Sequence, residues 1–192
     1  DGLDRSYITY VPNTYDGTEK FPVLMNFHGF SGDAGYHLIE TNMHYAAHSN
    51  KYLLVYPQGA LLEGEPHWNP CLPSDDNKSD IDDLGFVEAL LDQVSSDYLV
   101  DRNKVYAVGY SNGGMMSYGL AMHKSEFITA FGSVSGTMLD CGEQPNHPMP
   151  VIVMHGTNDF TIPYDGSSDT VSIETTIDYW NSFNNTNTTP VL

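Results

Sequence analysis

Short apolar runs alternate along this chain with stretches in which apolar residues recur at helical spacing. Runs rich in branched and aromatic residues predict strands, and a repeat of about 3.6 residues predicts helices. The predicted strands span residues 5–11, 21–27, 51–56, 104–108, 127–134 and 151–154. The predicted helices span 38–49, a segment capped by Asp82, a segment ending near Met122, and 172–183. Residues 60–79 are polar and contain proline, which indicates a long surface loop.

The alternation of strands and helices decides the fold class. Nearly continuous apolar strands are typical of a parallel sheet that is buried on both faces. No internal repeat or low-complexity linker divides the sequence, and 192 residues are enough to bury one sizeable core. We therefore predict a single α/β domain over residues 1–192, with a mostly parallel sheet and helices on both faces.

The most informative motif is Gly109-Tyr110-Ser111-Asn112-Gly113, which lies directly between a predicted strand and a predicted helix. A serine on such a sharp turn needs strained backbone angles, which are tolerated when glycines stand two residues to either side. The turn places the hydroxyl at a helix N-terminus, where the helix dipole favours developing negative charge. Ser111 is therefore the predicted nucleophile, and the Asn112 amide is a predicted oxyanion donor. The alternative is a glycine-rich turn with an incidental serine.

A second oxyanion donor is expected from a loop that follows an earlier strand. The segment His28-Gly29-Phe30 comes directly after predicted strand 21–27, and its glycine allows the backbone to approach a ligand closely. The Phe30 amide is the candidate. A plain strand-ending turn is the competing interpretation of this segment.

The catalytic acid is expected after the nucleophile in the chain, and the histidine after the acid. The strand Val151–Met154 leads into His155-Gly156-Thr157-Asn158-Asp159, so Asp159 lies at the same edge of the sheet as Ser111. Asp159 is the predicted acid and Asp165 the second candidate. The alternative for Asp159 is a turn or cap aspartate.

The pattern lacks the histidine base that is expected after the acid. None of the eight histidines follows Asp159: they are His28, His37, His44, His48, His67, His123, His147 and His155. We expect His155 to brace the loop that carries Asp159. His28 belongs to the segment His28-Gly29-Phe30, which we call the oxyanion turn. Without a base a serine hydroxyl is a poor nucleophile. The order of motifs therefore predicts that the sequence lacks a C-terminal strand, histidine loop and helix.

Amino-acid composition limits which partners the chain can bind. Seven Lys and Arg against 25 Asp and Glu give a formal net charge of −18, which argues against binding nucleic acid or an anionic membrane. No apolar run approaches the roughly 20 residues that span a bilayer. Cys71 and Cys141 stand far apart and outside any CxxC pair, so a zinc site is not expected. They could form one disulfide or remain separate.

Several short motifs, taken together, are specific for a known family. They are Gly2-Leu3-Asp4-Arg5-Ser6-Tyr7, Tyr10-Val11-Pro12, His28-Gly29-Phe30, Val55-Tyr56-Pro57, Trp68-Asn69, Asp82-Asp83-Leu84-Gly85-Phe86, the serine motif, Val134-Ser135-Gly136 and His155-Gly156-Thr157-Asn158-Asp159. With them the chain resembles the extracellular polyhydroxybutyrate-depolymerase-like esterases, a group that overlaps the feruloyl and acetyl-xylan esterases of carbohydrate esterase family one.

This resemblance implies an α/β-hydrolase fold and a secreted serine esterase. The substrates would be small or polymer-linked carboxylic esters with short-chain, feruloyl, acetyl or hydroxyalkanoate groups, hydrolysed through an acyl-enzyme without cofactor or metal. It carries over Ser111 as nucleophile, Asp159 as acid, and the amides of Phe30 and Asn112 as oxyanion donors. Trp68 would lie near the cleft as a substrate contact, or else serve as simple packing.

Two other functions stay open at this point. One is a serine peptidase on the same fold. The other is an inactive or binding-only fragment that keeps the fold without its base. A separate segment or a neighbouring subunit could also supply the histidine.

Overall fold

A central β-sheet organises the computed structural model, which describes residues 2–72 and 79–186. In chain order the elements are β1 (Tyr7–Tyr10), β2 (Phe21–Phe27), α1 (Ala34–Thr41), α2 (His44–Asn50), β3 (Leu53–Pro57), β4 (Ala60–Leu62), β5 (Glu65–His67), α3 (Asp83–Asp97), β6 (Val100–Tyr110), α4 (Asn112–His123), β7 (Ala130–Val134), β8 (Val151–Met154) and α5 (Ile173–Phe183). The strand order in the main sheet is β1-β3-β2-β6-β7-β8. Strand β1 is antiparallel to β3, and the remaining pairs are parallel. The predicted α/β class with a mostly parallel sheet is confirmed.

Alternation of side chains along the strands gives the sheet two apolar faces. Val23, Met25 and Phe27 of β2 point into the larger cluster, which includes side chains of α3, α4 and α5. Leu24 of the same strand packs instead in the smaller cluster, together with side chains of α1 and α2. Burial of each large apolar side chain contributes on the order of 1.5–3 kcal/mol, so these faces hold the helices in place.

The face that carries α1 and α2 is partly open toward β8. Val134, Ile152 and Met154 are 36%, 62% and 58% exposed there. They line a groove of about 400 Å³ along the sheet face. The groove extends along the strands as far as Pro150, so it is not confined to the strand ends where the candidate residues lie.

Two local predictions were wrong. The predicted helix 38–49 is two helices, because Asn42 adopts left-handed angles (φ 50°, ψ 30°) and ends α1. Part of the predicted loop 60–79 is a hairpin of β4 and β5, since Glu63 and Gly64 both have positive φ, as a two-residue turn requires. Residues 73–78 of that predicted loop lie outside the described residues.

The order of the strands creates the place for a site. Strands β2 and β6 are neighbours, but the chain leaves β2 toward β3 on one side and reaches β7 from β6 on the other. At such a reversal the connecting loops diverge and leave a crevice at the carboxyl ends of the strands. The oxyanion turn follows β2 and Ser111 follows β6, so both predicted segments border this crevice.

Cys71 and Cys141 form a disulfide, which settles the pairing that the sequence left open. It joins the segment after β5 to the segment after β7 across a sequence separation of 70 residues. Closing a loop of that length stabilises the fold by about 4 kcal/mol in the chain-entropy account. No helix among the described residues is long and apolar enough to cross a membrane.

Candidate active site

Ser111 occupies the turn between β6 and α4 in a strained backbone conformation, with φ 55° and ψ −121°. Its amide donates to the Val134 carbonyl at 2.8 Å, and its carbonyl accepts from the Met115 amide at 3.0 Å. These bonds hold a geometry that costs on the order of 1–3 kcal/mol in a non-glycine residue. A serine at this position ordinarily caps the helix with its hydroxyl, but the Ser111 hydroxyl makes no such bond. The Ser111 hydroxyl therefore does not serve as a helix cap.

The flanking glycines of the motif are required by close backbone contacts. A Cβ on Gly109 would collide with the Gly113 carbonyl. A Cβ on Gly113 would collide with the carbonyl oxygens of Phe27 and His28. The tight turn, and its contact with the end of β2, thus depend on both glycines, as the sequence motif predicts.

The turn after β2 lies against Ser111. A Cβ placed on Gly29 would be 3.4 Å from the Ser111 Cβ. The next residue, Phe30, exposes 55% of its surface, and within residues 2–72 and 79–186 its amide donates no hydrogen bond. Asn112 is the first residue of α4, so its amide has no acceptor within the helix. The two predicted oxyanion amides therefore belong to separate elements that both adjoin Ser111.

His28 braces the oxyanion turn. Its Nδ1 donates to the Gly29 carbonyl at 2.7 Å, so Nε2 is the acceptor for the Gly59 amide at 2.9 Å. Burial lowers the pKa of His28, which keeps the ring neutral and suits this arrangement. Both ring nitrogens are thereby engaged by the backbone, in agreement with the prediction that His28 belongs to the turn.

The prediction that Trp68 contacts substrate is wrong for its side chain. Only 1% of the residue is exposed. Its ring packs against Phe27 and His28, with centroids 5.2 and 5.0 Å away, and Nε1 donates to the His28 carbonyl at 2.9 Å. An aromatic residue in a loop can be buried in the core or exposed at the surface. Here the oxyanion turn covers the Trp68 ring.

Asp159 lies in the loop after β8 and is held as a carboxylate. Its Oδ1 accepts hydrogen bonds from the amides of Thr161 at 2.9 Å and Ile162 at 3.0 Å. The amides of Ile162 and Thr161 lower the pKa of Asp159, with smaller contributions from His155 and the Ser135 hydroxyl. Asp159 is therefore ionised at neutral pH.

Backbone hydrogen bonds connect the Ser111 turn to the end of β8, from which the loop of Asp159 continues. Val134 accepts the Ser111 amide, and the next residue, Ser135, donates its own amide to the Met154 carbonyl at 2.8 Å. The second candidate acid, Asp165, is exposed in the turn that Gly166 closes onto Pro163. Asp159, unlike Asp165, is partly buried, and two backbone amides hold its carboxylate.

His155 is engaged in bracing the acid's loop. Its Nε2 donates to the Ile162 carbonyl at 2.8 Å and lies 3.6 Å from Asp159 Oδ2. The side chain is only 1% exposed, which keeps it from the crevice. Among the described residues, the Ser111 hydroxyl has no hydrogen bond to any histidine.

Two further side chains hold the site together, and no sequence motif indicates their roles. Gln58, after β3, donates to the Gly32 carbonyl at 3.1 Å and accepts from the Ala34 amide at 2.8 Å, which fixes the end of the oxyanion turn. The Asn112 carboxamide bonds the backbone of Trp68 twice. A polar residue at the carboxyl end of a buried strand was the only available signal for Gln58. Across the described ranges, no three metal-ligating side chains come together.

A family model described as phospholipase/carboxylesterase matches residues 16–188. The chain belongs to this family. The α/β-hydrolase fold expected from the sequence resemblance is thereby confirmed. The fold also agrees with a solved Bacillus cereus carboxylesterase, which has a TM-score of 0.70 and 22% identity over 95% of this chain and 82% of that one.

The chain is also similar to an acetylxylan esterase and to a feruloyl esterase. The bifunctional acetylxylan esterase/xylanase XynS20E of Neocallimastix patriciarum is 28% identical over 85% of this chain and 22% of its own length. Feruloyl esterase C of Emericella nidulans is 26% identical over 84% of this chain and 57% of its own length. The chain therefore spans less than two thirds of each of these relatives.

Proposed function

We propose that this protein is a carboxylic-ester hydrolase in which Ser111 is the nucleophile. The observation that carries the proposal is the strained turn of Ser111, whose hydroxyl is not used to cap α4. The turn borders the crevice between β2 and β6, beside two amides without acceptors among the described residues. A relationship to acetylxylan and feruloyl esterases supports ester chemistry.

In the proposed reaction the Ser111 oxygen attacks the ester carbonyl carbon while a base takes its proton. The amides of Phe30 and Asn112 then donate to the oxyanion of the tetrahedral intermediate. Each such donor is worth on the order of 3 kcal/mol. The protonated base returns the proton to the departing alcohol, and water hydrolyses the acyl-serine to release the carboxylic acid.

We propose that the base is a histidine supplied from outside the 192 residues, by a further segment or a neighbouring subunit. His28 and His155, the two histidines in the loops around the crevice, each have Nε2 engaged by the backbone. Asp159 Oδ2, in contrast, accepts neither of the two amides that bond Oδ1. The proposed role of that carboxylate is to orient the imidazole and stabilise its cation.

The proposed substrates are uncharged acetyl, feruloyl or hydroxyalkanoate esters, small or attached to a polymer. A net charge of −18 disfavours anionic substrates. A cavity of about 440 Å³ beside the disulfide is lined in part by Asp140, Asp169 and Ser167, whose oxygens suit an alcohol rich in hydroxyl groups. Gly136 abuts the Ser111 carbonyl, and the cavity wall begins three residues later at Leu139, within about 10 Å of extended chain.

A secreted location is also proposed. The Cys71–Cys141 disulfide supports it, because such bonds persist in oxidising compartments.

The reaction class is tested by comparing an ester with an amide that share one acyl group. We expect the protein, together with the segment or subunit that supplies the histidine, to hydrolyse p-nitrophenyl acetate and to leave p-nitroacetanilide unchanged, because an amide needs more protonation of its leaving group. Release of p-nitrophenol and p-nitroaniline is followed by absorbance at neutral pH. Equal turnover of both compounds would favour the serine peptidase. Turnover of neither, by folded protein, would contradict the proposal and favour a binding-only role.

A further inference from the structure

One buried residue contacts both halves of the proposed oxyanion site. The Trp68 amide donates to Asn112 Oδ1 at 2.7 Å, and Asn112 Nδ2 donates to the Trp68 carbonyl at 2.9 Å. The carboxamide and the backbone of a single residue therefore form a closed pair of hydrogen bonds. This pair fixes the first residue of α4, whose amide is one proposed oxyanion donor.

The indole of the same residue reaches the other half. Trp68 Nε1 donates to the His28 carbonyl at 2.9 Å, and the neighbouring Pro66 carbonyl accepts the Ser31 amide at 2.7 Å. Phe30 lies between these two fixed points, so its amide is anchored from both sides. Residues 66–68 thus connect two turns that are about eighty residues apart in the sequence.

The segment is itself anchored in the core. The amide of Asn69 donates to Asp83 Oδ2 at 2.7 Å, and Asp83 pairs with Arg5 at 2.5 Å. Asp83 is fully buried, and the Arg5 side chain is 8% exposed. Trp68 is therefore also held from outside the site, through Asn69 and the buried Asp83–Arg5 pair.

We infer that Trp68 is a positioning residue that aligns the Phe30 and Asn112 amides with each other across the nucleophile. The inference rests on the proposed function for its catalytic consequence. Oxyanion donors act only when both lie at the correct distance from one oxygen atom. A single residue that bonds one turn with its indole and the other with its backbone fixes that distance in the unliganded protein, so the site needs no reorganisation during the reaction.

The chain offers a matched control in its second tryptophan. Trp180 is also buried, at 2% exposure against 1% for Trp68. Its Nε1 has no hydrogen-bond partner among the described residues, and its ring packs against Phe131 at 4.8 Å, in the core below α4. Replacement of either residue by phenylalanine removes the same volume, but only Trp68→Phe removes a hydrogen bond to the oxyanion turn.

We expect Trp68→Phe to lower kcat for p-nitrophenyl acetate about 10- to 100-fold with KM within about threefold, because the lost alignment matters in the transition state. Trp180→Phe should keep kcat within about twofold of the wild type. Hydrogen–deuterium exchange should rise at least about tenfold in the peptide covering 28–32 in Trp68→Phe only, since the backbone bonds between residue 68 and Asn112 remain. Equal kcat values for the two variants would overturn the inference.

Two further outcomes remain decisive. If the wild type shows no turnover, the proposed function fails, and the exchange data alone test the positioning role. Unchanged exchange at 28–32 in Trp68→Phe would then refute it. If Trp68→Phe does not fold, Asn112→Ala replaces it, since that variant removes the paired bonds and keeps the Asn112 amide. A kcat equal to that of the wild type in Asn112→Ala would then refute the inference.

Discussion

Ser111→Ala is expected to lower kcat for p-nitrophenyl acetate by about 10⁴-fold or more. The substitution removes the oxygen that forms the acyl-enzyme, and the oxyanion amides alone leave only a small residual rate. Alanine has no side-chain polar atom, and the Ser111 hydroxyl makes no capping bond, so the variant should fold. Steady-state hydrolysis and the thermal unfolding midpoint of both proteins provide the measurement.

Ser117→Ala is the matched control for this prediction. Ser117 lies further along α4, where its hydroxyl donates only to the Gly113 carbonyl at 3.2 Å. We expect its activity to stay within about twofold of the wild type, since removal of this local bond has a small effect. Ester turnover that survives Ser111→Ala would show that another group is the nucleophile.

Asp83→Ala is expected to lower the free energy of unfolding by about 3–5 kcal/mol, because a buried cation is left without its partner. The carboxylate accepts from Arg5 at 2.5 Å and from the Asn69 amide at 2.7 Å, at zero side-chain exposure. Burial raises the pKa of Asp83, while the Asn69 amide and Arg5 oppose the shift. Urea unfolding at neutral pH with the disulfide intact measures the loss.

Asp92→Ala removes the same charge from the surface. Asp92 pairs with Arg102 at 2.6 Å, but the two side chains are 65% and 44% exposed. An exposed pair of this kind contributes about 1 kcal/mol or less. Similar losses of unfolding free energy in Asp83→Ala and Asp92→Ala would contradict the larger contribution expected from the buried pair.

The sequence was sufficient where the signal is local. The motif around Ser111 could be interpreted because its glycines and its place between a strand and a helix lie within a few residues. The same holds for Asp159, which follows a strongly apolar strand. Each residue follows a strand of the parallel sheet, so both are expected at the same edge of the sheet. The described positions agree with that expectation.

The sequence was insufficient where distant segments meet. Arg5 and Asp83 are 78 residues apart, and no pattern in either segment indicates that they pair. The burial of Trp68 depends on contacts with β2 and with the start of α4. The division of helix 38–49 depends on one left-handed residue, Asn42, which helix propensity alone does not reveal.

The central claim is that Ser111 carries the acyl group, and trapping that intermediate tests it most directly. The protein is mixed with p-nitrophenyl acetate, quenched in acid within the first turnover and digested, and the peptide that contains Ser111 is analysed by mass spectrometry. We predict one acetyl group on Ser111 in the wild type, and an unmodified peptide from Ser111→Ala treated in parallel. Ester hydrolysis in which the acetyl group is found on another residue, with Ser111 unmodified, would contradict the claim.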